Sequence, residues 1–205
     1  MPPRSQKFFR TALEKVAAHS KSVIDIGGSL RITQGKGNRF DPEGLWMKDI
    51  LRGVTYRILD PVPDYQPDIV GDIHALPFDD NSQDAIICVS VLEHVEDPIR
   101  ACKEIYRVLK PGGMALIYIP FLYYYHAETG YYKDYWRFTA DTVDLLFRDF
   151  SEIQKENVRG ALETVVHLFP FGRNAALIAT ARFFDRMLGK INSKQTSGHN
   201  IFLVK

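Results

Sequence analysis

The chain has 205 residues, of which 45% are hydrophobic and 25% are charged, and its formal net charge is +1. These values are typical of one globular domain, and they exclude a disordered chain, a collagen and a coiled coil. The small net charge gives no general attraction to nucleic acid or to an anionic membrane, so a polyanionic partner would need a local basic patch.

Cysteine usage and the N-terminal residues indicate the compartment. Cys88 and Cys102 make neither a disulfide framework nor a zinc site, and no metal-ligand spacing appears, so we expect a reducing environment and no bound metal. Residues 1–21 lack the apolar core of a signal peptide, and no apolar run has the length of a membrane-spanning helix. We therefore expect a cytoplasmic protein without a transmembrane segment, as a monomer or a homodimer.

The first predicted elements are a helix and a buried strand. Apolar residues at helical spacing predict an amphipathic helix over 6–19. A β-branched run over 23–26 then predicts a buried parallel strand that brings Asp25 to the sheet edge where ligands bind in open α/β folds. Gly27 and Gly28 allow a tight turn and a close approach of a ligand, because neither has a Cβ.

An irregular segment, residues 31–44, follows this turn and is longer than the usual loop. It is either a binding loop, in which Lys36 and Arg39 contact an acidic substrate, or a solvent-exposed loop without a binding role. The glycine turn before it does not complete the G-x-G-x-x-G of dinucleotide-binding proteins, which disfavours a nicotinamide-dependent dehydrogenase.

Two further strands are predicted to end in an acidic residue. A short helix leads to a strand over 54–60, and Asp60 at its end could accept hydrogen bonds from both hydroxyls of a ribose. Asp72 ends a third short strand, where it could bond the exocyclic amine of adenine while Ile73 packs on the ring. A fourth strand over 84–90 is apolar almost throughout, as expected for a central parallel strand.

A cap and a glycine pair define the next helix and strand. Asp97 is predicted to cap a helix that has Pro98 at its first position. Residues 111–113 are predicted to end this helix and to turn the chain into a strand over 114–119. The predicted buried face of the helix consists of Ile99, Cys102, Ile105, Val108 and Leu109.

Several of these stretches together resemble the class I S-adenosylmethionine-dependent methyltransferases of the type 11 kind. They are residues 25–29, the acidic strand ends at Asp60 and Asp72, Leu-Glu-His-Val at 92–95, and Leu-Lys-Pro-Gly-Gly at 109–113. In the first of these stretches, Ser29 stands where the family usually has its second glycine. The resemblance implies an α/β fold, a three-layer Rossmann-like sandwich around a seven-stranded, mostly parallel sheet. The implied strand order is 3-2-1-4-5-7-6, with strand 7 antiparallel.

The resemblance also implies the cofactor, S-adenosylmethionine, and its product, S-adenosylhomocysteine. Residues 20–120 would form the cofactor-binding half of a single domain over 1–205, residues 121–190 the substrate-facing part, and residues 191–205 the last strand. The implied cofactor-binding residues are Asp25, Gly27, Gly28, Ser29, Asp60, Pro61, Asp72, Ile73, Ser90, Val91 and Leu92, and His94 would lie close by.

The segment after the fifth strand is predicted to meet the substrate. Residues 120–139 are rich in aromatic side chains interrupted by charged ones, a composition that fits an apolar pocket with a few orienting groups or a packed cover over the core. His126, Glu128 and residues 134–139 resemble a methyltransferase subgroup with a His...Asp-Tyr-aromatic-Arg-Phe-Thr segment. Members of that subgroup are often suspected of acting on glycans, lipids or other small metabolites.

Two roles are assigned to the polar side chains of this segment. His126 is the predicted general base on a hydroxyl, because its unperturbed pKa lies near neutrality, and Glu128 is predicted to orient it or to replace it. Asp134 and Arg137 are predicted to form a structural pair that holds the aromatic segment in place.

The remaining chain is predicted to complete the sheet with strands over 150–158 and 199–204. Helices are predicted after Thr139 and from Asn174. The buried side chains of the first are expected to be Leu145, Leu146 and Phe147. The apolar face of the second would carry Leu177, Ala181, Phe184 and Leu188. We expect this face to pack on the sheet, while a substrate lid, a dimer contact and a membrane-surface face are the alternatives.

The sequence therefore predicts transfer of a methyl group to a small-molecule acceptor, with a hydroxyl of a glycan or lipid-like metabolite as the expected group. The Asn-Pro-Pro-Tyr signature of amino-methylating nucleic-acid enzymes is absent, as is a Pro-Cys nucleophile, so we expect no nucleic-acid partner. The alternative is a methyltransferase-like binding or scaffolding subunit that no longer methylates. Ser29 motivates that alternative, whereas Asp25, Asp60 and Asp72 oppose it.

Overall fold

One sheet of seven strands organises the molecule. The computed structural model describes residues 7–34, 40–170, 172 and 174–205. The strands are β1 (Ser22–Ile26), β2 (Thr55–Asp60), β3 (Ile69–Val70), β4 (Gln83–Val89), β5 (Leu109–Pro120), β6 (Glu152–Asn157) and β7 (Gly198–Val204). Their order is β3-β2-β1-β4-β5-β7-β6, and β7 is antiparallel to both of its neighbours. The predicted sheet is confirmed, including its antiparallel seventh strand.

Helices lie between most of the strands. They are α1 (Lys7–His19), α2 (Leu45–Ile50), α3 (Pro98–Val108), α4 (Ala140–Leu146), α5 (Ala161–Leu168) and α6 (Ala175–Met187). The longest of them, α1 and α6, have 13 residues each. A bilayer-spanning helix needs about 20 apolar residues. Within the described ranges, no helix could therefore cross a membrane.

The core consists of two apolar layers, one on each face of the sheet. Successive side chains of a strand point to opposite faces, so Ile24 of β1 packs in the layer that contains α3, whereas Val23 packs in the layer that contains α1. The parallel pairing of β1 with β2 and with β4 places the carboxyl ends of these three strands side by side. That edge of the sheet carries the polar residues described below.

The junction between α3 and β5 lies earlier in the chain than predicted. Asp97 caps α3 as expected, with its carboxylate accepting the amide of Arg100 at 2.9 Å. The helix nevertheless ends at Val108, and Leu109 already pairs with Gln83 of β4. Residues 111–113 therefore lie inside β5, where the ladder is irregular, and they do not form a separate turn before it.

Two predicted buried side chains are exposed, and helix geometry explains both. Ile99 is 54% exposed, because each helical residue turns about 100° and Ile99 therefore lies to one side of the face formed by Pro98, Cys102 and Ile105. Leu145 is 59% exposed for the same reason, since Val143 and Phe147 form the inward face at the end of α4. The Thr139 cap itself is confirmed by its hydrogen bond from the amide of Thr142 at 3.2 Å.

Helix α6 does not turn its apolar side chains to the sheet, so that prediction is wrong. Ala181 and Asp185 face inward, whereas Leu177, Phe184 and Leu188 are 47%, 42% and 58% exposed. The carboxylate of Asp185 accepts the amides of Leu162 and Glu163 at 2.9 and 3.0 Å, and it thereby caps the start of α5. These amides at the start of α5 need an acceptor, and Asp185 can accept them only when its side of α6 faces α5. This requirement fixes the rotation of α6.

Candidate functional site

A cleft of about 920 Å³ opens beyond the carboxyl ends of β1, β2, β4 and β5. Its volume and position fit a small-molecule site at the ligand-binding edge of an open α/β sheet. Most of the residues predicted for the cofactor and the acceptor line this cleft. They are Gly27, Ser29, Asp60, Pro61, Asp72, Ile73, Ser90, Val91, His126 and Glu128.

Asp25 lies beneath the glycine turn and does not line the cleft. Its fully buried carboxylate accepts the amides of Ser29 and Leu30 at 3.0 and 2.9 Å, the Ser29 hydroxyl at 2.5 Å and the Tyr56 hydroxyl. Burial raises the pKa of this carboxyl group, and the hydrogen bonds oppose that shift. The geometry gives Asp25 a supporting position under the turn, in contrast to the direct cofactor contact that was predicted.

The glycine turn itself is tightly packed against the end of β4. Gly27 has a φ of +75°, and a Cβ at this position would stand 2.8 Å from Cγ2 of Val91. A side chain there would clash and would also need a backbone conformation that L residues rarely adopt. Gly28 and Leu92, two other predicted contacts, lie outside the cleft lining, and Leu92 is buried in the core beneath it.

Ser29, which replaces a family glycine, connects two strands. Its hydroxyl donates to Asp25 and accepts the amide of Val89 at 3.2 Å, so one side chain ties the turn after β1 to the end of β4. The side chain is nearly buried, and the backbone around it remains open to the cleft. The structure thus gives a local reason for serine here, which the sequence pattern alone presents only as a departure.

The two other acidic residues line the same side of the cleft. Asp60 ends β2, as predicted, and accepts the amide of Val62 at 2.8 Å, while burial raises the pKa of its carboxyl group. Asp72 does not end a strand, because β3 stops at Val70. Its carboxylate instead caps a short 3-10 turn by accepting the amide and the Nδ1–H of His74 at 2.8 and 2.7 Å.

Ser90 holds an unusual backbone conformation at the end of β4. Its φ is +57°, a value that only a small share of non-glycine residues adopts, and its amide donates to the carbonyl of Tyr118 at 3.1 Å. Such outliers concentrate at ligand-binding sites when the surrounding structure fixes them. Here the conformation turns the chain sharply, so that Val91 meets Gly27 and the following residues line the cleft.

The pair Asp134–Arg137 holds the aromatic segment, which confirms that prediction. The guanidinium donates to both carboxylate oxygens at 2.6 and 2.7 Å and to the carbonyls of Tyr123 and Tyr124 at 3.3 and 2.5 Å. Burial alone would raise the pKa of Asp134, but Arg137 and the amide of His126 lower it to about 2. Asp134 is therefore a charged anchor near neutral pH.

Sequence reasoning missed a cluster at the far end of the cleft. Glu93, His94 and His126 each offer a ligand-type atom, and these atoms lie within 4.8 Å of one another. Nε2 of His126 is 3.4 Å and Nε2 of His94 is 3.9 Å from Oε1 of Glu93, whose side chain is fully buried. The Leu-Glu-His-Val stretch was the available signal, but nothing in the sequence spacing links it to His126.

His126 is oriented mainly by three neighbours. Nδ1 donates to the carbonyl of Tyr124 at 2.9 Å and lies 3.2 Å from Asp134, while Nε2 faces Glu93. Burial lowers the pKa of His126, but the contacts with Glu93, Tyr124 and Asp134 outweigh burial and raise it. Glu128, the predicted orienting residue, lines the same cleft, and its backbone pairs with Tyr132 in a tight turn.

Aromatic side chains both line and close the cleft. Tyr65, which follows β2, stacks on Tyr131 of the aromatic segment with ring centroids 5.1 Å apart. This contact joins the cofactor side of the cleft to the acceptor side, while Phe138 of the same segment is buried in the core. The segment therefore serves as a pocket wall and as a core cover, so both interpretations apply. Lys36 and Arg39, considered for an acidic substrate, lie outside the described residues.

Comparison with known proteins gives several matches to methyltransferases. Residues 57–117 match a family model described as a methyltransferase domain. A protein of Oryza sativa subsp. japonica, 2-methyl-6-phytyl-1,4-hydroquinone methyltransferase 2, chloroplastic, is 31% identical over an alignment of 125 positions, and the match covers 53% of this chain and 32% of that protein. The chain thus spans about a third of the length of this relative.

Solved structures share the fold over nearly the whole chain. A SAM-dependent methyltransferase from Archaeoglobus fulgidus has a TM-score of 0.57 and 14% identity, covering 98% of this chain and 95% of its own. Phosphoethanolamine N-methyltransferase 2 of Haemonchus contortus, in complex with phosphomonomethylethanolamine and S-adenosylhomocysteine, has a TM-score of 0.52 and 13% identity, covering 98% of this chain and 58% of its own. At these identities the likeness establishes the architecture.

Proposed function

We propose that this protein transfers a methyl group to a small-molecule acceptor. By fold and by sequence, the chain belongs to the class I S-adenosylmethionine-dependent methyltransferases. The observation that carries the proposal is one cleft lined by acidic residues at the end of β2 and after β3 and by a histidine-carboxylate cluster that follows β4 and β5. The acidic residues suit a nucleoside cofactor, and the cluster suits an acceptor that must lose a proton.

The proposed cofactor position follows the cleft wall from β2 to β4. Asp60 would accept the ribose hydroxyls with the oxygen that does not serve Val62, and Asp72 would accept the adenine amine, with Ile73 against the ring. Gly27 allows the methionine part to approach the backbone, with Asp25 holding the turn from beneath. The other predicted contacts that line the cleft, Ser29, Pro61, Ser90 and Val91, are proposed to complete this wall, and Gly28 and Leu92 are proposed to support it from beneath.

The proposed reaction is an in-line displacement at the sulfonium methyl group. The carbon–sulfur bond breaks with its electron pair staying on sulfur, a bond forms from carbon to the acceptor atom, and the acceptor gives its proton to water. Alignment of the two molecules in one cleft lowers the barrier. His126 and Glu128 are the proposed catalytic residues, because both line the end of the cleft opposite the cofactor residues. His126 would contact the acceptor hydroxyl and ease the loss of its proton.

The acceptor proposed is a hydroxyl of a lipid-like or sugar-like metabolite. Five tyrosines line this end of the cleft, which favours a largely apolar or ring-shaped molecule. They are Tyr123, Tyr125, Tyr131, Tyr132 and Tyr135. The rice relative, whose name specifies a phytyl hydroquinone, supports an acceptor of this kind. The same proposal includes a cytoplasmic location, a monomeric or homodimeric state and the lack of a nucleic-acid partner.

Calorimetric titration with S-adenosylhomocysteine tests the cofactor assignment. Asp60→Ala should weaken binding by about tenfold or more, because it removes a charged acceptor for the ribose hydroxyls. His126→Ala should leave binding nearly unchanged and slow turnover once an acceptor is found, which makes it the matched control. Equal loss of binding in both variants would contradict the division of the cleft into two ends.

A further inference from the structure

The Glu93 carboxylate is buried without a hydrogen-bonding partner. Its side chain has no exposed surface, and neither carboxylate oxygen accepts a hydrogen bond within the described part of the chain. Burial of an unpaired carboxylate is strongly unfavourable, so such a group is normally paired, bound to a cation or neutralised. Among the described lysine, arginine and histidine side chains, the nearest nitrogen atoms are those of His126 and His94, at 3.4 and 3.9 Å.

Backbone carbonyls determine which nitrogen atom of each imidazole faces Glu93. Nδ1 of His126 lies 2.9 Å from the carbonyl of Tyr124, and Nδ1 of His94 lies 2.7 Å from the carbonyl of Lys133. A carbonyl can only accept a hydrogen bond, so both Nδ1 atoms carry the hydrogen. In the neutral imidazoles, both Nε2 lone pairs are then directed toward the glutamate, and this arrangement is the usual one for histidines that bind a metal.

We propose that Glu93, His94 and His126 form a binding site for one divalent first-row transition-metal ion at the acceptor end of the cleft. Two imidazoles and one carboxylate suit zinc, manganese, iron or cobalt better than calcium or magnesium, which prefer oxygen ligands alone. Bonds of about 2.1 Å at a tetrahedral ion separate neighbouring ligand atoms by about 3.4 Å. The observed 3.4 and 3.9 Å are close to that separation.

The surrounding residues hold the three ligands without closing the site. The carbonyl of Glu93 accepts the amides of Tyr135 and Trp136 at 2.8 and 3.2 Å, which ties the glutamate loop to the aromatic segment. Asp134 accepts the amide of His126 at 2.8 Å. All three proposed ligands line the cleft, so the remaining coordination positions face the space in which the acceptor would lie.

The inference rests on the proposed function for its role in the reaction. A hydroxyl bound to the ion would lose its proton to water more readily, and the resulting oxygen anion would attack the methyl group. His126 would then ease the loss of the proton by holding the ion. The inference contrasts with the expectation from sequence, which found no metal-ligand spacing, because His126 reaches Glu93 and His94 only through the fold.

Metal binding by the full-length chain tests the inference directly. Chelator-treated protein is titrated with Zn²⁺ by calorimetry and with Co²⁺ by visible absorption, in the absence of cofactor. We expect saturable binding of one ion per chain. Glu93→Gln and His126→Ala should each weaken it by about 100-fold or more, since loss of even an outer-shell partner of a metal ligand costs 10–100-fold in affinity. Circular dichroism confirms that each variant is folded.

His167→Ala is the matched control. His167 is also a partly buried histidine, 3.7 Å from a buried carboxylate, Glu163, but it lies on α5 outside the cluster. Its removal should leave metal binding unchanged. Lack of saturable binding in the folded protein, or equal binding by Glu93→Gln, would overturn the inference and leave a proton on His126 as the counter-charge of Glu93.

Titration with S-adenosylhomocysteine on the same samples separates the inference from the proposed function. Cofactor binding without metal binding would overturn the metal site and support the methyltransferase proposal. Metal binding without cofactor binding would support the site and count against the proposed function. Because the proposed cofactor residues Asp60 and Asp72 lie at the end of β2 and after β3, whereas the cluster follows β4 and β5, the two measurements address different residues.

Discussion

Two carboxylates with no exposed surface, Asp25 beneath the glycine turn and Glu93 in the cleft lining, differ completely in their surroundings. Asp25 accepts four hydrogen bonds from Ser29, Leu30 and Tyr56. Glu93 accepts none at its side chain from any residue that the structure describes. The Asp25 carboxylate is thus fully paired by hydrogen bonds, whereas the Glu93 carboxylate faces only the imidazoles of His126 and His94, at 3.4 and 3.9 Å.

This difference indicates how the two sides work. A turn whose Ser29 and Leu30 amides and Ser29 hydroxyl all donate to the Asp25 carboxylate is preorganised, so a ligand bound there meets a rigid surface. A buried carboxylate between two imidazole lone pairs is an unfavourable arrangement that a bound cation would stabilise. Replacing the two carboxylates should therefore change the stability of the protein in opposite directions.

Asp25→Ala should have the largest effect. It leaves two buried amides and the Tyr56 hydroxyl without their acceptor, so we expect the free energy of unfolding to fall by about 3–5 kcal/mol. Urea denaturation followed by circular dichroism measures this. Asp49→Ala is the control, because the Asp49 side chain is 72% exposed and its ion pair with Arg52 should contribute less than about 1 kcal/mol. A similar small loss in both variants would remove the contrast.

Glu93→Gln should have a smaller effect of the opposite sign. The neutral amide is easier to bury than a carboxylate, and its N–H groups can donate to the Nε2 lone pairs of His94 and His126. In chelator-treated protein we expect the free energy of unfolding to rise by about 1–3 kcal/mol. Added Zn²⁺ should stabilise the parent protein and leave the variant unaffected, as thermal unfolding would reveal. A loss of stability in the variant would mean that Glu93 already has its partner in a protonated His126.

The sequence predicts some features of the fold and of the cleft, but it does not predict others. The Asp97 and Thr139 caps follow from local patterns, whereas the strand order follows from the family resemblance, and the structure confirms all of them. The position of Asp25 beneath the turn depends on Tyr56 of a neighbouring strand, which no local pattern contains. The rotation of α6 likewise depends on a distant requirement, the capping of α5 by Asp185.

The Glu93–His94–His126 cluster was the least predictable part for the same physical reason. Two of its members are adjacent in the sequence, but the third comes from the segment after β5. That segment is positioned by the pair Asp134–Arg137 and by hydrogen bonds to the carbonyl of Glu93. Local periodicity predicts elements well, whereas a cluster formed by loops depends on contacts that only the folded chain provides.

Ser29→Ala should have the smallest effect, and it addresses the cofactor side alone. The variant removes the hydroxyl that joins Asp25 to the amide of Val89, so we expect the free energy of unfolding to fall by about 1–2 kcal/mol. Ser29→Gly, which restores the family residue, should lose at least as much, because glycine also gains freedom in the unfolded chain. Ser151→Ala is the control, since its hydroxyl donates to a carbonyl at an exposed position.

If both Ser29 variants keep their affinity for S-adenosylhomocysteine while losing stability, the serine supports the turn and tolerates the cofactor. If Ser29→Gly binds the cofactor much more tightly than the parent protein, the hydroxyl instead restricts the approach of the ligand. In that case the cofactor side is not fully preorganised, and the contrast with the acceptor side is one of degree. The two variants therefore test whether the buried hydrogen bonds of Asp25 and Ser29, which stabilise the turn, also determine how tightly the cofactor binds.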